Sequence, residues 1–136
     1  MAYEYKRRVK YYETDQMGVV HHANYLHWFE EARTEYMRKQ GVSYKELEES
    51  GVILPVSEVN CKYRKPAYYD DLLVIIVKIE KVKRIKVEFE YEIKKDENLI
   101  LTGSSSHPFV DEEFNPLHLK REKPKLWEQI FGSAIN

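Results

Sequence analysis

The apolar positions of this chain change period partway along, and the change outlines the elements. From Tyr3 to Tyr12, Tyr5, Val9 and Tyr11 recur on one parity with charged residues mostly between them, which predicts a strand with one wet face. Arg7 interrupts that pattern. From about Asn24 to Gln40 the spacing becomes helical, with Leu26, Phe29, Ala32, Arg33, Tyr36 and Met37 forming a wide, aromatic stripe. Gly41 follows as a left-handed stop. Ser43 with Glu46 three residues on makes a capping box for a short second helix to about Ser50, which Gly51 closes.

Beyond Pro55 the period returns to two. Val56 to Arg64, Asp71 to Val82, Arg84 to Lys95 and Leu99 to Val110 are β-rich segments with short polar connections, which predicts an antiparallel meander. The run from Ile85 to Ile93 alternates strictly, so that Ile85, Val87, Phe89, Tyr91 and Ile93 share one face and Lys or Glu the other. Lys94 to Asn98 reads as the following hairpin turn, and a Pro-flanked segment from Glu122 to Phe131 as a small terminal helix. The order of strand, long helix, short helix and about four strands predicts an α+β fold in which one sheet wraps one helix. A helix so apolar must be enclosed, and an uncovered sheet edge favours a second subunit, so a dimer is expected.

The 136 residues suit one domain over 1–136, with a tail from about 120, and 43% hydrophobic against 33% charged residues suits a globular protein with a real core. The 22 Lys and Arg nearly balance the 23 Asp and Glu, for a net charge of -1, so no global field favours nucleic acid or an anionic membrane. One cysteine, Cys61, excludes an intramolecular disulfide framework, and no leader-like segment opens the chain; a reducing cytoplasm is the expected home. The longest apolar run, Leu72 to Val77, is strand-sized, far from the roughly 20 residues of a membrane span.

Chemistry concentrates in Asp15-Gln16-Met17-Gly18-Val19-Val20-His21-His22-Ala23-Asn24, where a carboxylate and a glycine turn run into the long helix. Free backbone N–H groups at a helix start carry the positive end of its dipole and can polarise a carbonyl oxygen. Asp15 then supplies a base or a nucleophile, two options that the residues leave open. Gly18 permits either a positive φ or a close ligand approach.

The string Tyr12-Glu13-Thr14-Asp15-Gln16-Met17-Gly18-Val19-Val20-His21-His22-Ala23-Asn24-Tyr25, followed by Phe29-Glu30-Glu31-Ala32-Arg33, closely resembles the signature of hotdog-fold acyl-CoA thioesterases, specifically the 4-hydroxybenzoyl-CoA thioesterase and YbgC-like group. The resemblance continues through Val59 to Tyr63, Pro66-Ala67 and Tyr69 to Leu73, covering about Tyr5 to Val110. It implies a hotdog fold, hydrolysis of an acyl-CoA to free acid and CoA, and no cofactor, coenzyme A being part of the substrate. It implies Asp15 as the catalytic carboxylate, Gly18 as the glycine that bends the loop into the helix, and the His22 backbone N–H as the group that polarises the thioester carbonyl. The assembly it implies is a homodimer or homotetramer.

Substrate contacts are expected from Val20, Asn24, Tyr25, Glu31, Arg64, Lys65 and Tyr69, with Asn24 also the natural helix N-cap. Arg64 and Lys65 precede the Pro66-Ala67 turn and could meet the phosphates of coenzyme A. His21, His22 and His27 lack the i, i+4 spacing of a helical metal pair, so no metal is expected. Gly103-Ser104-Ser105-Ser106-His107 lacks the final glycine and the strand-to-helix context of a nucleophile elbow. Cys61 reads as a small buried hydrophobe. An acyl carrier protein substrate and a non-catalytic acyl-binding role are the alternatives; a pure binder has no need of a carboxylate beside the carbonyl.

Overall fold

The computed structural model describes residues 2–132, so Met1 and positions 133–136 of the expected tail lie outside the described residues. Its elements are β1 (Ala2–Arg8), a single 3-10 turn (Tyr11–Glu13), α1 (Ala23–Lys39), α2 (Tyr44–Glu49), β2 (Glu58–Tyr63), β3 (Leu72–Val82), β4 (Lys86–Lys95), β5 (Asn98–Pro108), α3 (Leu119–Glu122) and α4 (Pro124–Phe131). The five strands form one antiparallel sheet in the order β1-β3-β4-β5-β2, curled around α1. This is the expected hotdog architecture.

The expected meander holds only for β3-β4-β5. β2 does not pair with β3 but crosses to the far edge beside β5, from Glu58 opposite Ser106 to Tyr63 opposite Leu101. The burial patterns supply the reason. β3 buries Leu73, Ile75 and Val77 and sits between β1 and β4, whereas β2 is exposed along nearly its whole length and suits an edge. Between them the chain passes through Pro66 and Asp70, the latter at φ 69, a crossover rather than a hairpin.

Other expectations shift in detail. On β1 the inward residues are Tyr3, Tyr5 and Arg7, so the residue that interrupts the apolar parity faces inward, while Tyr11 sits on the 3-10 turn and is 76% exposed. On β4, Val87, Phe89, Tyr91 and Ile93 are buried, but Ile85 precedes the strand and is exposed. The β4–β5 turn is two residues, Asp96 and Glu97, because Lys95 pairs with Asn98 and Asp96 adopts φ 54. Gly41 and the Ser43 cap stop and restart the helices as expected.

The buried stripe of α1 is Tyr25, Trp28, Phe29, Ala32, Arg33, Tyr36 and Met37, an unbroken i, i+3, i+4 series. Leu26 falls outside it and stays partly exposed, because Tyr25 and Trp28 continue the stripe toward the N-terminus in its place. Phe29 stacks on Tyr91 with ring centroids 4.0 Å apart and also lies over Gly103, where a Cβ would meet its ring at 2.7 Å. The small residue lets helix and sheet approach. At one end of the core Trp127 and Phe131 of α4 pack against Phe109, so the tail is part of the fold.

One polar chain threads this core. Arg33 Nη1 donates to Tyr91 Oη (3.0 Å), which lies 2.6 Å from Ser105 Oγ, itself 2.8 Å from His107 Nε2. Ser105 and His107 thus face inward from a strand, away from solvent. Burial, and then the Arg33 charge, push the His107 imidazole down from its usual 6.5 to about 4. Between those values the unfolded chain binds a proton that the folded one does not. The fold should therefore lose up to about 3 kcal/mol as pH falls from 6.5 to about 4. Denaturant melts across that window should show the slope, and His107→Gln should flatten it.

Candidate functional site

The segment between the 3-10 turn and α1 forms a closed loop. Thr14 bridges Val20, Asp15 N–H donates to Val19 O (2.9 Å) and Gly18 N–H donates to Asp15 O (3.0 Å). Gly18 takes φ +80 with open space around a would-be Cβ, so among the described residues the requirement is the positive φ rather than a close contact. The loop is stitched to the crossover, since Val19 bridges Tyr68 and Val20 N–H donates to Ala67 O (2.9 Å).

Within it the Asp15 carboxylate is half-buried and accepts from Met17 N–H through Oδ1 (2.8 Å), an Asx turn that orients the side chain. Asp15 and Gly18 line an open depression with Tyr11, Tyr12, Thr14, Gln16 and Tyr69. Tyr11 and Tyr69 meet edge to face at 5.6 Å and are 76% and 56% exposed, so the carboxylate sits on an aromatic rim.

The start of α1 differs from the expected cap. Asn24 is inside the helix, not at its N-cap; its side chain reaches back to donate to Glu13 O (2.9 Å). His22 takes the N-cap position, and its side chain makes no capping bond. His21 does the satisfying, its Nδ1 accepting from Ala23 N–H (3.2 Å) and its carbonyl from Asn24 N–H (3.0 Å), while His21 N–H donates to Glu13 O (2.9 Å). The His22 N–H has no backbone acceptor among the described residues, which leaves a donor at the positive end of a 17-residue helix.

The loop is held by a network that the sequence reading did not assign. Glu13 is 3% exposed and accepts from Arg7 Nη1 (2.7 Å), Arg7 Nη2 (2.6 Å), Lys10 N–H (2.7 Å) and Trp28 Nε1 (3.0 Å). Burial alone would raise its carboxyl, but these donors hold it below the usual carboxylate range. Arg7 continues through Nε to Glu31 (2.8 Å), which also accepts from Tyr5 Oη (2.7 Å). The one signal for this network in the sequence was Arg7 breaking an apolar parity.

The remaining candidates are dispersed. Val20 and Tyr25 are buried, Tyr25 against Trp28 and Tyr63. Glu31 belongs to the Arg7 network, and Arg64 and Lys65 are exposed beyond β2, with Lys65 Nζ 3.3 Å from Asn98 Oδ1. Cys61 is half-buried at the β2 edge, and burial pushes its thiol up. His21 and His22 stack at 4.4 Å in the open, and no group of three or more potential metal ligands occurs among the described residues. No helix among the described residues is long and apolar enough to cross a membrane.

Residues 17–101 match the profile of the family described as the Thioesterase superfamily, a match that begins two positions after Asp15. YneP of Bacillus subtilis is 38% identical over 93% of this chain and 92% of its own. The acyl-CoA thioesterase YbgC of Haemophilus influenzae is 37% identical over 81% of this chain and 82% of its own. Among solved structures, a DHNA-CoA thioesterase from Staphylococcus aureus superposes with a TM-score of 0.91 at 33% identity, covering 98% of this chain and 91% of that one.

Glu13→Gln would leave Arg7 short of a carboxylate partner under the loop. It should cost about 3 kcal/mol in urea unfolding at pH 7, and the difference should shrink in acid as the wild-type carboxylate is protonated. A cost below about 0.5 kcal/mol would mean that the buried pair adds no net stability to the loop.

Proposed function

This chain belongs to the thioesterase superfamily, and from that premise we propose that it hydrolyses an acyl-CoA thioester to the free acid and CoA with Asp15 as its catalytic carboxylate. The observation that carries the reading is the pairing, in one loop and helix start, of an oriented carboxylate with a free helix N-terminal N–H. Hydrolysis of a thioester needs positioning, one base and stabilisation of the oxyanion, and this segment supplies groups suited to each.

In this reading the thioester carbonyl oxygen accepts from the His22 N–H, a donor whose removal typically costs about 3 kcal/mol of barrier. Asp15 takes a proton from a water whose oxygen attacks the carbonyl carbon. The tetrahedral intermediate then collapses with cleavage of the C–S bond, and the sulfur leaves as the CoA thiolate, which takes up the proton. General-base action suits a carboxylate tethered through one oxygen, since the other is left for a water. The exposed tyrosines Tyr11, Tyr12 and Tyr69 give the thioester an apolar approach. The unpaired outer edge of β2, with Val59 and Tyr63 exposed, supports pairing with a second copy, the expected dimer.

Asp15→Asn, nearly isosteric, should reduce thiol release from acyl-CoAs at least about a hundredfold while leaving the melting temperature within a few degrees. Single-turnover hydrolysis in ¹⁸O water should place the label in the product acid at the first turnover. Label appearing first in the Asp15 side chain would mean a mixed anhydride instead, and equal turnover in both proteins would remove Asp15 from the chemistry.

A further inference from the structure

Arg33 is a buried cation without a counter-ion. It is 6% exposed, and none of the ion pairs among the described residues includes it. Its identified polar partners are neutral: Tyr91 Oη at 3.0 Å, with the Tyr44 hydroxyl close by and, behind Tyr91, Ser105 and a neutral His107. Its Nε is buried with no hydrogen-bond partner among the described residues. A guanidinium taken out of water is ordinarily matched by a carboxylate, and Arg7, bonded to both Glu13 and Glu31, is matched in that way.

Arg33 is also a wall of a cavity. The cavity runs along α1 between Leu26, Phe29 and Arg33 on one side and Val56, Val59 and Ser105 on the other. Its lining is apolar toward Leu26 and Val59 and polar where Arg33 and Ser105 meet. Glu30 also borders it but is exposed and makes no ion pair with Arg33. The same helix starts at the His22 N–H. With a rise of 1.5 Å per residue, Arg33 lies roughly 16 Å further along the axis, and its side chain leans back toward the start, leaving on the order of 10 Å between the two groups.

Resting on the proposed thioesterase reading, we infer that this cavity takes the acyl group and that Arg33 binds a carboxylate at its far end, so that the preferred substrates are medium-length ω-carboxyacyl thioesters. A largely apolar cavity, bordered also by His27 and Glu30, with a desolvated guanidinium in its wall discriminates by charge. A carboxylate supplies the negative charge that this buried guanidinium lacks, whereas a methyl-ended chain leaves the charge uncompensated.

The test uses two non-hydrolysable thioether analogues of CoA with eight-carbon chains, one ending in methyl and one in carboxylate. Titration calorimetry on the wild-type protein should find the carboxylate-ended analogue at least about tenfold tighter, and Arg33→Met should abolish the preference. Asp15→Asn should retain it, because recognition at the far end does not need the reacting carboxylate. Equal or weaker binding of the carboxylate-ended analogue by the wild-type protein overturns the inference, whether or not Arg33→Met folds, and so does failure of both analogues to bind. Hydrolysis of the matching eight-carbon octanoyl and 7-carboxyheptanoyl thioesters separates the two readings. Turnover of both without the binding preference defeats only the Arg33 assignment, whereas the preference without any turnover supports Arg33 and defeats the thioesterase reading.

Discussion

A single buried carboxylate, Glu13, joins the parts on which the candidate site depends. Its side chain binds Arg7 of β1, the Lys10 N–H and the Trp28 indole of α1, while its carbonyl accepts from His21 and Asn24 at the start of that helix. Strand, turn and helix are thereby fixed to one residue two positions before Asp15. Each donor is satisfied and the opposing charge lies within 2.7 Å, the condition under which a buried ion pair holds a structure rather than weakening it. The solvent-facing loop carrying Asp15 can be irregular because its anchor is not.

The two inward-facing arginines make an instructive contrast. Arg7 is bonded to two glutamates and lies 4.9 Å from the centre of the Trp28 ring, so its charge is compensated on every side. Arg33 occupies an equally dry place among hydroxyls and aromatic rings, with no carboxylate among the described residues paired to it. Both were visible as charged residues in apolar patterns. Which one was already neutralised depended on strands and helices distant in sequence.

Much of the fold was legible because it follows from period. The alternation of Val87, Phe89, Tyr91 and Ile93 leaves one register for β4, and Ser43 with Glu46 marks the start of α2 by local hydrogen bonding alone. Asp15 and Gly18 were legible as a motif for the same reason, since an Asx turn and a positive φ are short-range demands. What period cannot express is partnership. β2 was readable as a strand, but its place beside β5 rather than β3 comes from which strands need two covered edges. Asn24 looked like a cap because it has a capping side chain; the Glu13 carbonyl, brought close by the turn, claimed that side chain instead.

The sequence by itself determined the elements, the aromatic face of α1, the tight loop at Asp15 and the resemblance that motif carries, because these depend on residues a few positions apart. Only the tertiary structure decided that, among the described residues, the His22 N–H is left free while its neighbours are satisfied, Glu13 rather than Asp15 anchors the loop, and Arg33 lines a cavity without a counter-ion. Hydrogen bonds and buried charges are settled by whichever groups the fold brings within about 3 Å, and the pairs Glu13–Trp28, Arg7–Glu31 and Arg33–Tyr91 lie 15, 24 and 58 positions apart along the chain.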